Sequence, residues 1–360
     1  MSSQTYRKQE QEPASEEVTE VAPGVLRLQL PISLPGLGHV NCYALIDGDG
    51  VALVDPGLPG PESWAALTDR LATAEIPIGR VHTAIVTHSH PDHFGGSAQL
   101  REEAGADVLT HASFRSSMSE ANDDLEPIIA DMTDEEILAH WKKRYESMGE
   151  TPWGTKREPP PDHAILRFVH EDNGQRRFLS PEATIRVGDG QPVRFAGREW
   201  FSIHTPGHTV DHLCLWDPEE GVLLSGDHVL PTITPHIAGS TEIADPLATF
   251  FDSLDRVGAL EGVTTVLPAH GHPFDDCAGR CSHIKHHHHE RLDILREAAD
   301  ATGDAPVTEW MKVLFRERSW GDMAASETFA HLEHLRMIGE ANSRRDSNGL
   351  LCFELTEPTR

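Results

Sequence analysis

The segment at residues 87–93, Thr-His-Ser-His-Pro-Asp-His, constrains the fold of this chain more than any other feature. An apolar run at 84–86 precedes it and a glycine pair at 95–96 follows it. This pattern predicts a buried strand that ends in a loop with several closely spaced potential metal ligands. A merely polar turn at the end of a strand is the less favoured interpretation.

Three later segments share one design, in which a His or Asp follows an apolar run and stands beside a glycine. They are residues 205–209, 225–228 and 268–271. Glycine lets the backbone approach a site closely, so each segment predicts a strand that ends at a common centre. Upstream, Asp55 also follows an apolar run and precedes Pro-Gly.

The order of these residues resembles the metallo-β-lactamase superfamily of metal-dependent hydrolases, over roughly residues 23 to 281. The resemblance implies an α+β fold, the αββα sandwich, and a site with two zinc ions, iron or manganese being the alternative metals. The implied ligands are His88, His90 and His208 for the first ion, Asp92, His93 and His270 for the second, and Asp227 as the bridge between them.

Ligand chemistry agrees with this assignment. Imidazole suits zinc, whereas carboxylates suit a harder ion or a bridge. Bound zinc lowers the pKa of water to about 7, so hydroxide becomes available as a nucleophile. Asp92 is the predicted catalytic residue, because it could ligate and also accept a proton. Asp55 is interpreted either as a group that orients a ligand or as a cap of its loop, and both interpretations stay open.

The predicted reaction is hydrolysis of a thioester or related carboxylic ester in a small acyl substrate, by analogy with glyoxalase II and β-lactamase-like protein 2. A lactonase uses the same chemistry. A phosphodiesterase or ribonuclease and a mononuclear iron dioxygenase of the persulfide type are further alternatives, and a non-catalytic binding protein is disfavoured by the intact ligand set.

Composition limits the partners and the compartment. The net charge of −28 predicts that phosphate backbones and anionic membranes are repelled, so no nucleic acid partner is expected. No stretch reaches about 18 apolar residues and no signal peptide is evident, so we expect a cytoplasmic protein without a membrane anchor. Five widely spaced cysteines fit a reduced compartment better than a disulfide framework.

Sequence patterns divide the chain into three parts. Residues 1–22 are polar and predict a disordered acidic tail, and residues 23–282 form the predicted catalytic domain. Strands are predicted at 24–28, 41–46 and 51–54, with a hairpin turn at 47–50, and a helix at 61–74.

Two segments are candidates for contact with the substrate. The segment 113–180, with a helix at 134–148, is predicted to be an insertion over the metal cleft, where Trp141 and Tyr145 either shape an acyl pocket or only pack the insertion. Residues 228–236 leave the site directly, so His228 and His236 could contact substrate, or His236 could bond within its loop.

Residues 283–360 predict a small C-terminal domain. Helices at 283–299, 307–315 and 326–338 and a strand at 350–355 resemble the winged-helix module of related proteins. Charges on the helix at 326–338 are balanced, so packing or formation of a homodimer is favoured over DNA binding. The histidines at 286–289 are interpreted as a solvated helix face rather than another metal site.

Overall fold

The computed structural model describes residues 8–32, 34, 36–115, 132–170 and 181–356. Seven strands form the first sheet in the order of the chain: β1 (Val18–Ala22), β2 (Val25–Pro31), β3 (His39–Ile46), β4 (Val51–Val54), β5 (Val81–Ile85), β6 (Asp107–His111) and β7 (Ile185–Val187). The pairs from β1 to β4 are antiparallel and the pairs from β4 to β7 are parallel.

The second sheet has the order β12-β11-β10-β9-β8. Its strands are β8 (Pro192–Phe195), β9 (Arg198–His204), β10 (Leu213–Asp217), β11 (Val222–Gly226) and β12 (Thr265–Pro268). Only β11 and β12 pair in parallel.

Helices lie outside both sheets. They are α1 (Pro61–Thr73), α2 (Pro91–Phe94), α3 (Ser97–Ala104), α4 (Asp134–Ser147), α5 (Asp162–His170), α6 (Pro246–Gly258), α7 (Cys277–Glu297), α8 (Ala299–Thr302), α9 (Val307–Leu314) and α10 (Asp322–Met337).

Apolar side chains fill three layers between these elements. Ile85 and Leu109 of the first sheet pack with Trp200 and Leu224 of the second. The outer face of the first sheet packs against α1, and the outer face of the second packs against α6 and the C-terminal helices. This is the αββα sandwich, so the predicted fold is confirmed.

Local signals account for the elements around the first sheet. The predicted turn closes the β3–β4 hairpin, where the Asp47 amide donates to the Gly50 carbonyl over 2.9 Å. Helix α1 starts with Pro61 at its first position, where the missing N–H costs no hydrogen bond. The predicted helix in the insertion is confirmed as α4, which Thr133 and Glu136 begin with a capping box. Residues 116–131 and 171–180 of the insertion lie outside the described residues.

The prediction of a disordered tail through residue 22 was wrong for residues 8–22. Strand β1 pairs with β2, and Glu10 is fully buried. The Glu10 carboxylate accepts hydrogen bonds from the amides of Thr232 and Ile233, over 2.7 and 3.0 Å. The polar composition predicted disorder, because the local sequence does not show that Glu10 has hydrogen-bond partners at Thr232 and Ile233. Residues 1–7 lie outside the described part.

The C-terminal region contains α7 to α10 and a three-stranded sheet in the order β13 (Ala305–Pro306), β15 (Leu351–Leu355), β14 (Ala341–Arg345). Its assignment as a winged helix stays a prediction. Helix α7 begins before residue 283, because Asp276 caps it by accepting from the Gly279 amide. The interpretation of the histidines at 286–289 as a solvated face was wrong for His288, which is fully buried.

Two expectations from composition concern the whole chain. All five cysteines are free and buried. Among the described helices, none is long and apolar enough to cross a bilayer.

A candidate metal centre

The carboxyl ends of strands from both sheets meet at one edge of the sandwich. The parallel pairs β4–β5 and β11–β12 end there, together with β9. The turns that follow these strands carry all the ligands predicted from the sequence, so residues separated by up to 182 positions come together.

Two groups of ligand atoms form at this edge, and within each group all atoms lie within 4.8 Å of one another. The first group is His88, His90, His208 and Asp227, and the second is Asp92, His93 and His270. These are the seven residues that the resemblance implies, in the two sets that it implies, with Asp227, the implied bridge, falling in the first group.

Asp227 lies between the two groups. Its Oδ1 is 3.3 Å from Nε2 of His270, and its Oδ2 is 3.6 Å from Nε2 of His208 and 3.7 Å from Nε2 of His93. In a tetrahedral zinc site, with bonds of about 2.0 Å, two nitrogen ligands stand roughly 3.3 Å apart. The separations around Asp227 therefore suit a carboxylate that bridges two ions.

Hydrogen bonds to backbone carbonyls fix which ring nitrogen His208 and His270 offer. Nδ1 of His208 donates to the His236 carbonyl and Nδ1 of His270 donates to the His39 carbonyl, each over 2.6 Å. Because those nitrogens carry the proton, Nε2 of each ring keeps a lone pair for a metal. Outer contacts of this kind set the tautomer of metal-binding histidines.

Two observations indicate that the ligand atoms of this centre suit divalent cations. The buried atoms Nε2 of His93, Nε2 of His270 and Oδ1 of Asp227 have no hydrogen-bond partner in the described part of the chain. Buried polar atoms are rarely left unpaired without a reason, and a metal would satisfy all three.

Electrostatics provides the second observation. Burial alone would lower the pKa of His93, but Asp92, Asp55 and Asp227 raise the pKa to about 10. Burial and neighbouring histidines hold the pKa of His88 well below its usual value, so this ring is a neutral ligand. Burial opposes ionisation of Asp92, yet His93 and His270 lower its pKa. The carboxylates around His93 therefore favour a positive charge at this position, which a bound cation would also supply.

Asp55 lies beneath the second group. Its Oδ1 accepts from the Thr87 amide over 2.9 Å, and its Oδ2 accepts from the Thr87 hydroxyl and from Nδ1 of His93, each over 2.8 Å. The backbone of Asp55 has φ 53°, a conformation that L-residues rarely adopt. These contacts are compatible with both interpretations of Asp55, since its carboxylate bonds the ring of a candidate ligand and also the backbone of the loop that carries the motif.

The sequence pattern does not indicate two histidines that contact the candidate ligands or their backbone, His212 and His39. Nε2 of His212 accepts from the Asp227 amide over 3.0 Å, and Nδ1 of His212 contacts the Thr205 hydroxyl at 2.7 Å. Gly226 has φ 51°, and a Cβ there would lie 2.6 Å from Nε2 of His212. The only signal in the sequence was the position of His212 directly before β10.

His39 is the second of these residues. Its Nδ1 donates to the Glu12 carbonyl over 2.8 Å and its Nε2 accepts from the Gly271 amide over 3.0 Å, while its own carbonyl accepts from His270. A lone histidine at the start of β3 gives no signal of this role.

The four candidate substrate residues have different surroundings. His228 is fully buried against Phe250, which indicates packing rather than substrate contact. The His236 side chain is 23% exposed and its Nδ1 contacts Glu327 at 3.2 Å. Trp141 and Tyr145 lie 6.3 Å apart between ring centres on α4, and Trp141 packs beside Ile137 of α4 and Ile165 of α5.

Comparison with known proteins gives a consistent result. A family model described as the metallo-beta-lactamase superfamily matches residues 35–270. A probable metallo-hydrolase from Bacillus subtilis (strain 168) is 27% identical over 257 residues, covering 69% of this chain and 72% of that protein.

Solved structures show the same likeness. The crystal structure of a metallo-beta-lactamase family protein from Thermus thermophilus matches with a TM-score of 0.71 and 28% identity, covering 94% of this chain and 100% of that one. A beta-lactamase domain protein from Burkholderia ambifaria matches with a TM-score of 0.71 and 25% identity, covering 96% and 95% of the two chains.

Proposed function

Because the chain belongs to the metallo-β-lactamase superfamily of metal-dependent hydrolases, we propose that it is a dinuclear zinc enzyme that hydrolyses thioesters or related carboxylic esters. The observation that carries the proposal is the position of Asp227 between two complete ligand groups. Seven protein ligands are too many for one tetrahedral ion.

Two divalent ions bound here would supply a nucleophilic water at neutral pH and polarise the acyl carbonyl. Asp92 lies in this centre with its Oδ2 3.5 Å from Nε2 of His270 and is 4% exposed. Its lowered pKa keeps the carboxylate ionised, so one oxygen can accept the proton of the attacking water. Asp55 and His39 hold the rings of His93 and His270 in place.

The choice of an acyl substrate rests on two supports. A thioesterase from Emericella nidulans is 24% identical over 250 residues, although this chain spans only 48% of that protein. The net charge of −28 opposes a polyanionic phosphodiester. We therefore also propose a small acyl compound, rather than nucleic acid, as the partner in the reaction.

The test is a substrate panel on zinc-reconstituted protein, with acyl thioesters, lactones, a phosphodiester and a persulfide. We expect kcat/KM for a thioester to exceed that for each other class by at least about tenfold, since that ratio defines specificity. A preference for lactone, phosphodiester or persulfide would replace the proposal with that activity. One tightly bound iron in fully active protein would overturn the dinuclear assignment.

Two variants separate the ligand role from the base role. Asp227→Ala should lose metal and activity together, because the bridge holds both ions. Asp92→Asn should lower kcat by about 100-fold or more while part of the metal remains. The exposed Asp252 on α6 provides the control Asp252→Asn, for which kcat should not change. Wild-type turnover in Asp92→Asn would remove Asp92 from the mechanism.

A further inference from the structure

The C-terminal region contacts His236, in the loop beside the candidate metal centre, through Glu327 of α10. One oxygen of this carboxylate accepts from Nδ1 of His236 over 3.2 Å, and the other lies 3.5 Å from an Nη of Arg291 on α7. The Glu327 side chain is only 13% exposed. Burial would raise the pKa of Glu327, but His236 and Arg291 outweigh burial and lower it to about 2.

His236 connects this pair to a metal ligand through its backbone. The His236 carbonyl accepts a hydrogen bond from Nδ1 of His208 over 2.6 Å. Because Nδ1 carries the proton, Nε2 of His208 keeps its lone pair for an ion. The contacts therefore run without a break from Arg291 through Glu327 and His236 to His208.

A second contact holds the same loop on α10. The Gly239 amide donates to the Ser326 hydroxyl over 3.0 Å. A Cβ at Gly239 would lie 2.6 Å from both the Phe329 ring and the Ser326 carbonyl, so the loop lies directly on the helix. Helix α10 thus fixes the loop near both ends of the segment 236–239.

A third metal site is the competing interpretation, because ligand atoms of His288, Glu327 and His331 lie within 4.8 Å of one another. Both oxygens of Glu327 already have partners, and the Arg291 guanidinium beside them repels a cation. Nδ1 of His288 contacts Nε2 of His331 at 3.1 Å, as in an imidazole–imidazole hydrogen bond. The main centre, in contrast, gathers the carboxylates of Asp92 and Asp227.

We infer that Glu327 is a positioning residue of the metal centre, which holds His236 so that the His236 carbonyl orients His208 toward the first ion. The C-terminal region then completes the site. This inference rests on the metal centre of the proposed function, but not on the identity of the substrate.

The experiment measures zinc bound by the full-length protein at a series of buffered free zinc concentrations. Glu327→Ala should weaken binding at the first ligand group by about tenfold to 100-fold, as expected when an outer contact of a ligand is lost. His208→Ala removes a ligand outright and so identifies which binding step belongs to that group. His236→Ala keeps its backbone carbonyl but loses the contact with Glu327, so it should match Glu327→Ala, and the double variant should be no weaker than either single variant.

Glu340→Ala is the matched control. Glu340 also pairs with an arginine of α7, Arg296, over 2.7 Å, but has no contact with His236 among its hydrogen bonds. We expect this variant to bind zinc as wild type does. Glu327→Gln keeps an oxygen acceptor for Nδ1 of His236 and should recover most of the lost affinity.

The possible results distinguish failure of this inference from failure of the proposed function. Unchanged zinc binding in Glu327→Ala, an equal loss in Glu340→Ala, or a Gln variant as weak as the Ala variant would each overturn the inference. If Glu327→Ala does not fold by circular dichroism, His236→Ala carries the same test with α10 intact. Wild-type protein that binds two zinc ions but hydrolyses no thioester would defeat the proposed function and leave this inference standing.

Discussion

At the scale of single residues, the site depends on atoms that contact the candidate metal ligands from outside. Asp55, His39, His212 and the carbonyl of His236 each hold a ligand or the backbone of a ligand. These contacts select the nitrogen that faces the centre, so they decide whether a histidine can bind metal at all.

Asp55→Asn tests this at the second ligand group. In the wild type, Oδ2 of Asp55 accepts hydrogen bonds from Nδ1 of His93 and from the Thr87 hydroxyl. The amide nitrogen that Asn places at this position is a donor and cannot accept either bond. We expect affinity for the second ion to fall by about tenfold to 100-fold, measured by zinc titration. Asp49→Asn, at an exposed position, is the control. Wild-type affinity in Asp55→Asn would limit Asp55 to holding the loop.

His111 predicts a pH dependence of stability. Burial, followed by the neighbouring His204, lowers the pKa of His111 to about 4 from 6.5. At a pH between these two pKa values, His111 is protonated in the unfolded chain but neutral in the folded protein. The contribution of His111 to stability therefore falls as the pH falls from 6.5 to about 4.

The variant His111→Asn removes that contribution. Relative to the variant, wild type should lose unfolding free energy between about pH 7 and pH 5, measured by urea denaturation. The control is His163→Asn at an exposed position of α5, where no such change is expected. Parallel pH curves for wild type and His111→Asn would contradict the prediction.

At the scale of elements, the loop that follows β11 is held by three separate parts of the chain. Glu10 from the N-terminal segment binds its amides, Arg280 of α7 donates to the carbonyls of Leu230 and Ile233, each over 2.6 Å, and Glu327 of α10 holds His236. The loop has no regular structure of its own, so these contacts determine its path.

Glu10→Ala should therefore destabilise the protein. The substitution removes two half-buried hydrogen bonds in which the amides of Thr232 and Ile233 donate to a charged carboxylate, at a cost of about 1–3 kcal/mol for each bond. Urea denaturation measures the loss. Glu16→Ala removes an exposed carboxylate from the same segment and should change stability by less than about 0.5 kcal/mol. Equal stability of the two variants would show that the segment contributes nothing to the loop.

At the scale of the whole molecule, the two ligand groups join the two sheets. The motif at 88–93 follows a strand of the first sheet, whereas His208, Asp227 and His270 follow strands of the second. Ions that bind only the folded arrangement would therefore stabilise the sandwich as a unit.

Removal of metal should lower the thermal stability of the whole protein. Zinc at about 1,000 times its Kd contributes about 4 kcal/mol, so a chelator should lower Tm measurably. Asp227→Ala, which lacks the bridge, should show a much smaller response to the chelator. An unchanged Tm after elemental analysis has verified metal loss would contradict this coupling.

The sequence alone, through its resemblance to the metallo-β-lactamase superfamily, predicted the fold class and pointed to seven candidate ligands, each of which lies in a turn after an apolar run. Local patterns also predicted the turn at 47–50 and the capping box at Thr133. Only the tertiary structure decided the roles of Glu10, His212 and Glu327. Their partners lie up to 223 residues away, and contacts between residues so far apart leave no periodicity or spacing that the local sequence can show.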